Sequence, residues 1–247
     1  MLIDKIKNIV AQVIFFPKLY YIQKKFNYLK GKTIFIFGSS PKANFKEFKE
    51  EYLVISCNAS AKNIKNFNLP KPALTLIDNE LIDEDIIAEK KTRSTIIENE
   101  MLKNLDLGDL ISVQSNHSSN SDKNLLKANI NSYYFIPKRV RKIILDKISK
   151  QNFLDSNLKT IISTGIFAAY LCFFCKAKKV FLCGFSLHFD DENKKWFYRI
   201  DGEKESSQNV RNHSLADCLA VGFLAINGYD IISCEKDFLP VTKNWED

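Results

Sequence analysis

Residues 160–189 read TIISTGIFAAYLCFFCKAKKVFLCGFSLHF, and the fold turns on how that run is parsed. The polar turn Ser163-Thr164-Gly165 opens an apolar stretch of helical length. A basic break at Lys176 to Lys179 follows, and Val180 to Cys183 then read as a buried strand that stops at Gly184. Loop, helix and strand in that order place a ligand-binding opportunity at both ends of the unit. At the first, Gly165 permits close backbone approach, Ser163 and Thr164 can cap the helix, and the exposed N–H groups with the helix dipole suit a phosphate or carboxylate. At the second, Gly184-Phe185-Ser186-Leu187-His188 leaves the carboxyl end of a strand, where open α/β sheets bind ligands. A buried helix on a buried strand accounts for the segment equally well when it is read alone.

What joins it gives the segment its meaning. Thr33 to Phe37 is a β-branched and aromatic run that stops at Gly38-Ser39-Ser40-Pro41, and Phe45 and Phe48 open a short helix after it. This predicts a first strand with a phosphate-binding turn. With Gly38 as its only glycine the turn is neither a dinucleotide fingerprint nor a P-loop. Tyr52 to Cys57 predicts a second strand ending at Asn58, whose amide offers donors and an acceptor, and Ala73 to Ile77 a third ending at Asp78-Asn79. Any one such ending reads as a capped turn; three together predict a ligand edge.

Downstream, residues 190–212 are polar with Trp196, Phe197, Tyr198 and a single hinge, Gly202, which predicts a lid that orders over a ligand. Asn212-His213-Ser214 follows, then Leu215, Cys218, Leu219, Gly222, Phe223 and Ile226 at helical spacing. His213 is expected at or just before the helix N-terminus, off the apolar stripe. There the dipole disfavours imidazolium and leaves a neutral ring able to take a proton; a capping histidine without chemistry is the alternative. Gly228 ends the helix and Tyr229 to Ser233 predicts a last strand.

The acidic runs Asp83-Glu84-Asp85 and Asp190-Asp191-Glu192 can be read as D-x-D pairs for a divalent metal or as solvated helix starts. Tyr133 to Pro137, followed by Lys138, Arg139, Arg141 and Lys142, reads as an aromatic and basic cluster or a basic helix face. There is no RNA-binding aromatic signature and no zinc-finger spacing, so no nucleic-acid partner is expected.

The 247 residues, 45% hydrophobic and 26% charged with a net charge of +7, suit one soluble domain with an anionic partner. Residues 1–32 carry seven lysines against one acid, Asp4, on an apolar helical repeat, ahead of the main domain at 33–247. Such a helix lies on an anionic membrane, packs on its own domain or mediates a dimer. The six cysteines fall mostly in apolar runs, as free thiols do in a reducing compartment. With no run of membrane-spanning length and no signal-peptide cleavage site, the chain is expected to be cytoplasmic, with peripheral attachment to the inner membrane.

Taken in order, these landmarks resemble the bacterial sialyltransferases of glycosyltransferase family 42. That family runs strand then G-N-G-P, strand then C-N, strand then a Y-N, T-S-G opening a helix, strand then G-I-D-F-Y, and G-H-S opening a later helix. Here the counterparts are G-S-S-P at 38–41, C-N at 57–58, I-D-N at 77–79, S-T-G at 163–165, G-F-S-L-H at 184–188 and N-H-S at 212–214.

The resemblance implies an α/β fold with a Rossmann-like parallel sheet flanked by helices, a GT-A-like variant with a small lid. It implies no metal and no cofactor, a sugar acid activated by cytidine monophosphate (CMP) as donor, and a surface glycan as acceptor, with homo-oligomers among the expected states. His213 would be the general base. His188, with Tyr198 or Trp196, would stand for the tyrosines that stabilise the leaving phosphate. Asn58 and Asp78 or Asn79 would lie against the donor. Ser163, Thr164 and Gly165 would hold phosphate or sugar, Gly38, Ser39, Ser40 and Pro41 would line the cytidine side, and Gly184, Phe185 and Ser186 would complete the donor wall.

Three departures bear on the donor. Ser39 replaces an asparagine, Ser186 an aspartate, and the arginine before T-S-G is absent. A related group transfers the eight-carbon acid Kdo from CMP, and its retaining members need a carboxylate nucleophile; Ser186 at that place argues for inversion. The chemistry is consistent, since one departing phosphate needs hydrogen-bond donors more than a metal, and one base suffices for an acceptor hydroxyl. Competing readings are a metal-dependent nucleotide-sugar transferase and a non-catalytic module that binds an anionic polymer.

Overall fold

A computed structural model of the chain describes residues 2–38, 45, 48–83, 99–114, 122–150, 162–185, 207–235 and 243–244. The strands are β1 (Thr33–Phe37), β2 (Tyr52–Cys57), β3 (Leu74–Asp78), β4 (Asp109–Val113), β5 (Ser132–Ile136), β6 (Lys179–Cys183), β7 (Ile231–Ser233) and the two-residue β8 (Lys243–Asn244). They form one eight-stranded sheet in the order β5-β4-β3-β2-β1-β6-β7-β8. Every pairing is parallel. The helices are α1 (Leu2–Lys25), α2 (Ala61–Asn66), α3 (Lys138–Ser149), α4 (Thr164–Phe174) and α5 (Ser207–Ile226). This is the expected Rossmann-like α/β architecture.

Alternation along the strands divides the core. In β1, Ile34 and Ile36 join the large cluster under α1, α3, α4 and α5, while Phe35 and Phe37 face the other way with Phe181, Val54 and Ile64 of α2. On that second face the rings of Phe35 and Phe181 stack at 4.5 Å between centroids. Phe45 and Phe48, expected to open a helix, are not helical. Their rings pack edge-on against Phe35 at 5.3 and 5.2 Å instead, so burial of the aromatics outweighs local helix propensity there.

The helix of the quoted stretch, α4, has every residue buried. It lies over β1, β2 and β3 and is covered in turn by α3 and α5, which is why its sequence is apolar all round rather than amphipathic. The Tyr170 hydroxyl donates to the carbonyl of Ala220 at 2.8 Å and so keys α4 to α5.

Three strands, β4, β5 and the short β8, lack a counterpart in the sequence reading. Tyr133 to Ile136, read as part of an aromatic and basic cluster, is β5, and the basic residues after Pro137 begin α3. The cause is half-burial: β5 is the edge strand and its first four residues are only partly covered. Segment 1–32, read as separate from the domain, contributes Leu19, Ile22, Phe26 and Leu29 to the main core.

All six cysteines are free, and five are buried. Burial pushes the thiols of Cys57, Cys172 and Cys183 up, and that of Cys175 up to about 12. These groups stay neutral in the folded chain while the unfolded chain ionises near 9.0, so their stabilising contribution is complete below pH 9 and is lost as pH rises beyond it. Urea midpoints should therefore be flat from pH 7 to 8.5 and fall between pH 9 and 11, and native protein at pH 8 should label slowly with a thiol reagent. A midpoint that climbs over pH 9 to 11 would contradict this burial.

Candidate functional site

The chain lays down β1, moves outward through β2 to β5, then crosses back so that β6 pairs with the other side of β1. A reversal of this kind leaves a crevice beyond the carboxyl ends of the two strands, the place where doubly wound sheets take ligands. The expected endings meet there. Gly38 closes β1, and its N–H donates to the Cys183 carbonyl at the end of β6 at 2.8 Å. A Cβ on Gly38 would lie 2.7 Å from the Gly184 carbonyl oxygen, so the two glycine turns touch with no room for a side chain. Gly184 itself has φ of 72°, in the left-handed region.

Gly165 is the third contact. A Cβ there would fall 2.4 Å from Cε1 of Phe185, so the close approach that this glycine permits is taken by the Phe185 ring. Ser163 caps α4 as expected, its hydroxyl accepting from the Ile166 N–H at 3.3 Å. Thr164 follows as the first, buried residue of the helix. Gly38, Ser163, Thr164, Gly165, Gly184 and Phe185 are thus brought together at one edge.

Asn58 and Asp78 sit along the same edge at the ends of β2 and β3. Asn58 adopts φ of 50°, and its Oδ1 accepts from the Asp78 N–H at 2.9 Å, joining the two strand ends. Asp78 accepts from the Glu80 N–H at 3.0 Å. Asn79 points elsewhere: it is buried, and its Oδ1 accepts from Ser112 on β4. Of these three, Asn58 and Asp78 are half-buried at the rim.

A residue read in the sequence only as one member of a basic cluster supports this edge. Arg141 of α3 is buried, and its guanidinium donates to the carbonyl of Ile162. From the other side Asp217 of α5 accepts from the Ser163 N–H at 2.7 Å. That carbonyl and that N–H belong to one peptide unit, so a buried cation and a buried carboxylate hold it at both polar groups. Burial lowers the Arg141 pKa to about 10, while the negative charges of Asp78 and Asp217 act to raise it. Among the described residues its Nε has no hydrogen-bond partner, and the guanidinium lies 5.2 Å from the centroid of the Phe167 ring. The only signal in sequence was an arginine at the inward position of an amphipathic helix.

The placement of His213 differs from expectation. Helix α5 begins at Ser207, so His213 lies in its second turn and residues 207–212 are helix rather than lid. It stands one turn before Asp217 and seven residues before Ala220 along the helix, and both of those are buried. The polar run from Ser207 carries no local stop signal, which is how the helix extends past the expected start. Because α5 leads through Gly228 into β7, it runs antiparallel to the sheet, and the step from Asp217 back to His213 moves toward the carboxyl edge.

Ser39, Ser40, Pro41, Ser186, His188, Trp196, Tyr198 and the lid stretch 190–206 lie outside the described residues. Among the described residues no group of three or more histidine, cysteine or acidic side chains is arranged to hold a metal ion. No helix among them is long and apolar enough to cross a membrane.

Fold and edge together define the class: a doubly wound α/β protein with a crevice at its topological switch point. Among solved structures the fold is similar to that of sialyltransferase CstII from Campylobacter jejuni in complex with the substrate analogue CMP-3FNeuAc. That alignment has a TM-score of 0.50 at 13% identity and covers 86% of each chain. CstII with cytidine-5'-monophosphate aligns at 0.49 and 15% identity over 85% of this chain and 82% of that one. The monofunctional α-2,3-sialyltransferase Cst-I of the same organism aligns at 0.46 and 15% identity, over 85% and 78%. No family model matches the chain, and no curated protein matches it by sequence.

Two substitutions test the edge. Asp217→Ala removes one of the two carboxylates that act on Arg141 and leaves the Ser163 N–H without its acceptor, and should cost ~3 kcal/mol in urea denaturation. Gly165→Ala drives a methyl group into the Phe185 ring and should cost ~2 kcal/mol. A wild-type midpoint in either variant would mean that these contacts do not hold the edge together.

Proposed function

We propose that the chain is a glycosyltransferase that moves sialic acid from CMP-sialic acid to a surface glycan, in lipooligosaccharide or capsule, with inversion. The observation that carries this reading is the bond from the Ser163 N–H to Asp217, because it ties the start of α4 to the helix that bears His213, one turn earlier in the chain. Gly38, Ser163, Thr164, Gly165 and Gly184 border the crevice for the nucleotide and its phosphate. Asn58 and Asp78 stand at its rim for the sugar. Further support is the fold shared with a protein whose structure holds a CMP-sugar analogue.

In the reaction His213 takes the proton of the acceptor hydroxyl as its oxygen attacks the anomeric carbon. The bond from that carbon to the phosphate oxygen breaks, and CMP leaves with the electron pair. The N–H groups at the start of α4 stabilise the charge gathering on the phosphate, with His188 and Tyr198 assigned to the same task from the neighbouring segment. No metal ion or cofactor has a role in this scheme. His213 lies in the second turn of α5 rather than at its start, so the helix dipole is not invoked for its role.

Incubation with CMP-sialic acid and with CMP-Kdo in parallel, following released CMP, tests the reading and its nearest rival. Release from CMP-sialic acid alone, in the presence of chelator, is the expected result. His213→Ala should lower transfer at least ~100-fold, the scale of a general base, and leave CMP binding within about twofold. Equal loss of transfer and binding, or loss of neither, would remove His213 from the role. Salt-sensitive binding to an anionic polymer with no CMP release from either donor would replace the enzyme by a binding module.

A further inference from the structure

The outward face of α1 is not accounted for by the fold or by the crevice. Leu19, Ile22, Phe26 and Leu29 fill the inner side, yet Val13, Ile14, Phe16 and Tyr20 are 69%, 64%, 63% and 59% exposed. Among the described residues eight large hydrophobics are exposed, and five of them, these four and Tyr21, lie on α1, so the apolar surface is concentrated rather than scattered.

The direction of the helix is set by its contacts. After α1, the Tyr28 hydroxyl donates to Asp109, the first residue of β4, at 3.1 Å. Gln23 donates to the carbonyl of Phe174, the last residue of α4, at 2.8 Å. Both partners lie at the amino edge of the sheet. Farther back, Tyr21 stacks on Tyr134 in the middle of β5 at 5.6 Å. The helix thus climbs toward the carboxyl edge as residue number falls. From Tyr21 to Leu2 it has ~28 Å of helical rise still to run, whereas β5 beyond Tyr134 has ~7 Å, so α1 is much longer than what remains of that strand.

Charge selects what covers that face. Residues 1–32 hold seven lysines and one acid. A second copy would set like charge against like, while an anionic bilayer supplies both the opposite charge and an apolar layer for valine, isoleucine and aromatic side chains. We propose that α1 docks the protein on an anionic lipid surface through the face carrying Val13, Phe16 and Tyr20. Its projecting end then holds the carboxyl edge of the sheet toward the bilayer. Resting on the transferase reading, this makes the acceptor a lipid-linked glycan presented at that surface.

The test is sedimentation with phosphatidylcholine vesicles, with and without phosphatidylglycerol, for the full chain and two variants. One is Val13→Ser, Phe16→Ser, Tyr20→Ser; the other is Lys24→Glu, Lys30→Glu. Wild type should bind the anionic vesicles. The triple variant should bind at least ~tenfold more weakly, with an unchanged circular dichroism spectrum and melting midpoint, and the charge variant should lose a similar factor. With CMP-sialic acid, the triple variant should keep wild-type transfer to a short soluble glycan and lose transfer to vesicle-embedded glycolipid. Equal binding by wild type and triple variant, or equal binding to neutral vesicles, overturns the docking face. So does a wild-type dimer that the triple variant splits with no vesicle binding. A chain that binds vesicles but never releases CMP overturns the transferase reading and leaves the docking face standing.

Discussion

The peptide unit between Ile162 and Ser163 is the point on which the candidate site depends. Its carbonyl is held by the guanidinium of Arg141 and its N–H by the carboxylate of Asp217, so helices α3 and α5 both terminate their polar business on the start of α4. In water such contacts would contribute little. Buried, each charge is costly unless the other partners are in place, and the group is correspondingly intolerant of losing one member. Burial pulls the pKa of Arg141 down to about 10, against the two carboxylates that act to raise it. The arrangement fixes the orientation of the α4 N-terminus, which is the part of the helix with free N–H groups to offer a ligand.

Around that point the sheet supplies the rest. Parallel pairing of β1 with β6 brings Gly38 and Gly184 into contact, and the absence of Cβ atoms at both lets the two turns close on one another. Phe185 then folds its ring onto Gly165, so the last residues of the β6 turn brace the same helix start that Arg141 and Asp217 hold from the sides. Small residues here serve chain-to-chain contact, and what is left for a ligand is the rim formed by Asn58, Asp78, Ser163 and the backbone of the turns.

Helix α1 has two halves with different tasks. Its later residues and the 3-10 turn Asn27–Leu29 are part of the core, with Leu19, Ile22, Phe26 and Leu29 inside. Val13, Ile14, Phe16 and Tyr20 are exposed on the other side. A helix that packs on the body and a helix that meets a surface are therefore the same continuous element, read at different azimuths.

Most of the fold was legible in the residues themselves. Buried parallel strands read as short unbroken apolar runs, which is why β1, β2, β3, β6 and β7 could be located within a residue or two, and Ser163 announced the start of α4 by its capping chemistry. The residue types at the strand ends announced a ligand edge. Tertiary structure alone decided that Tyr133 to Ile136 is a strand, since a half-covered aromatic run gains its hydrogen bonds only from β4. It decided too that Arg141 is buried beneath the site and that His213 lies within α5 rather than at its start. The physical reason is the same in each case: local sequence sets propensity and periodicity, whereas the burial of a charge or a half-polar strand depends on partners far away in the chain, and those are known only once the chain has folded.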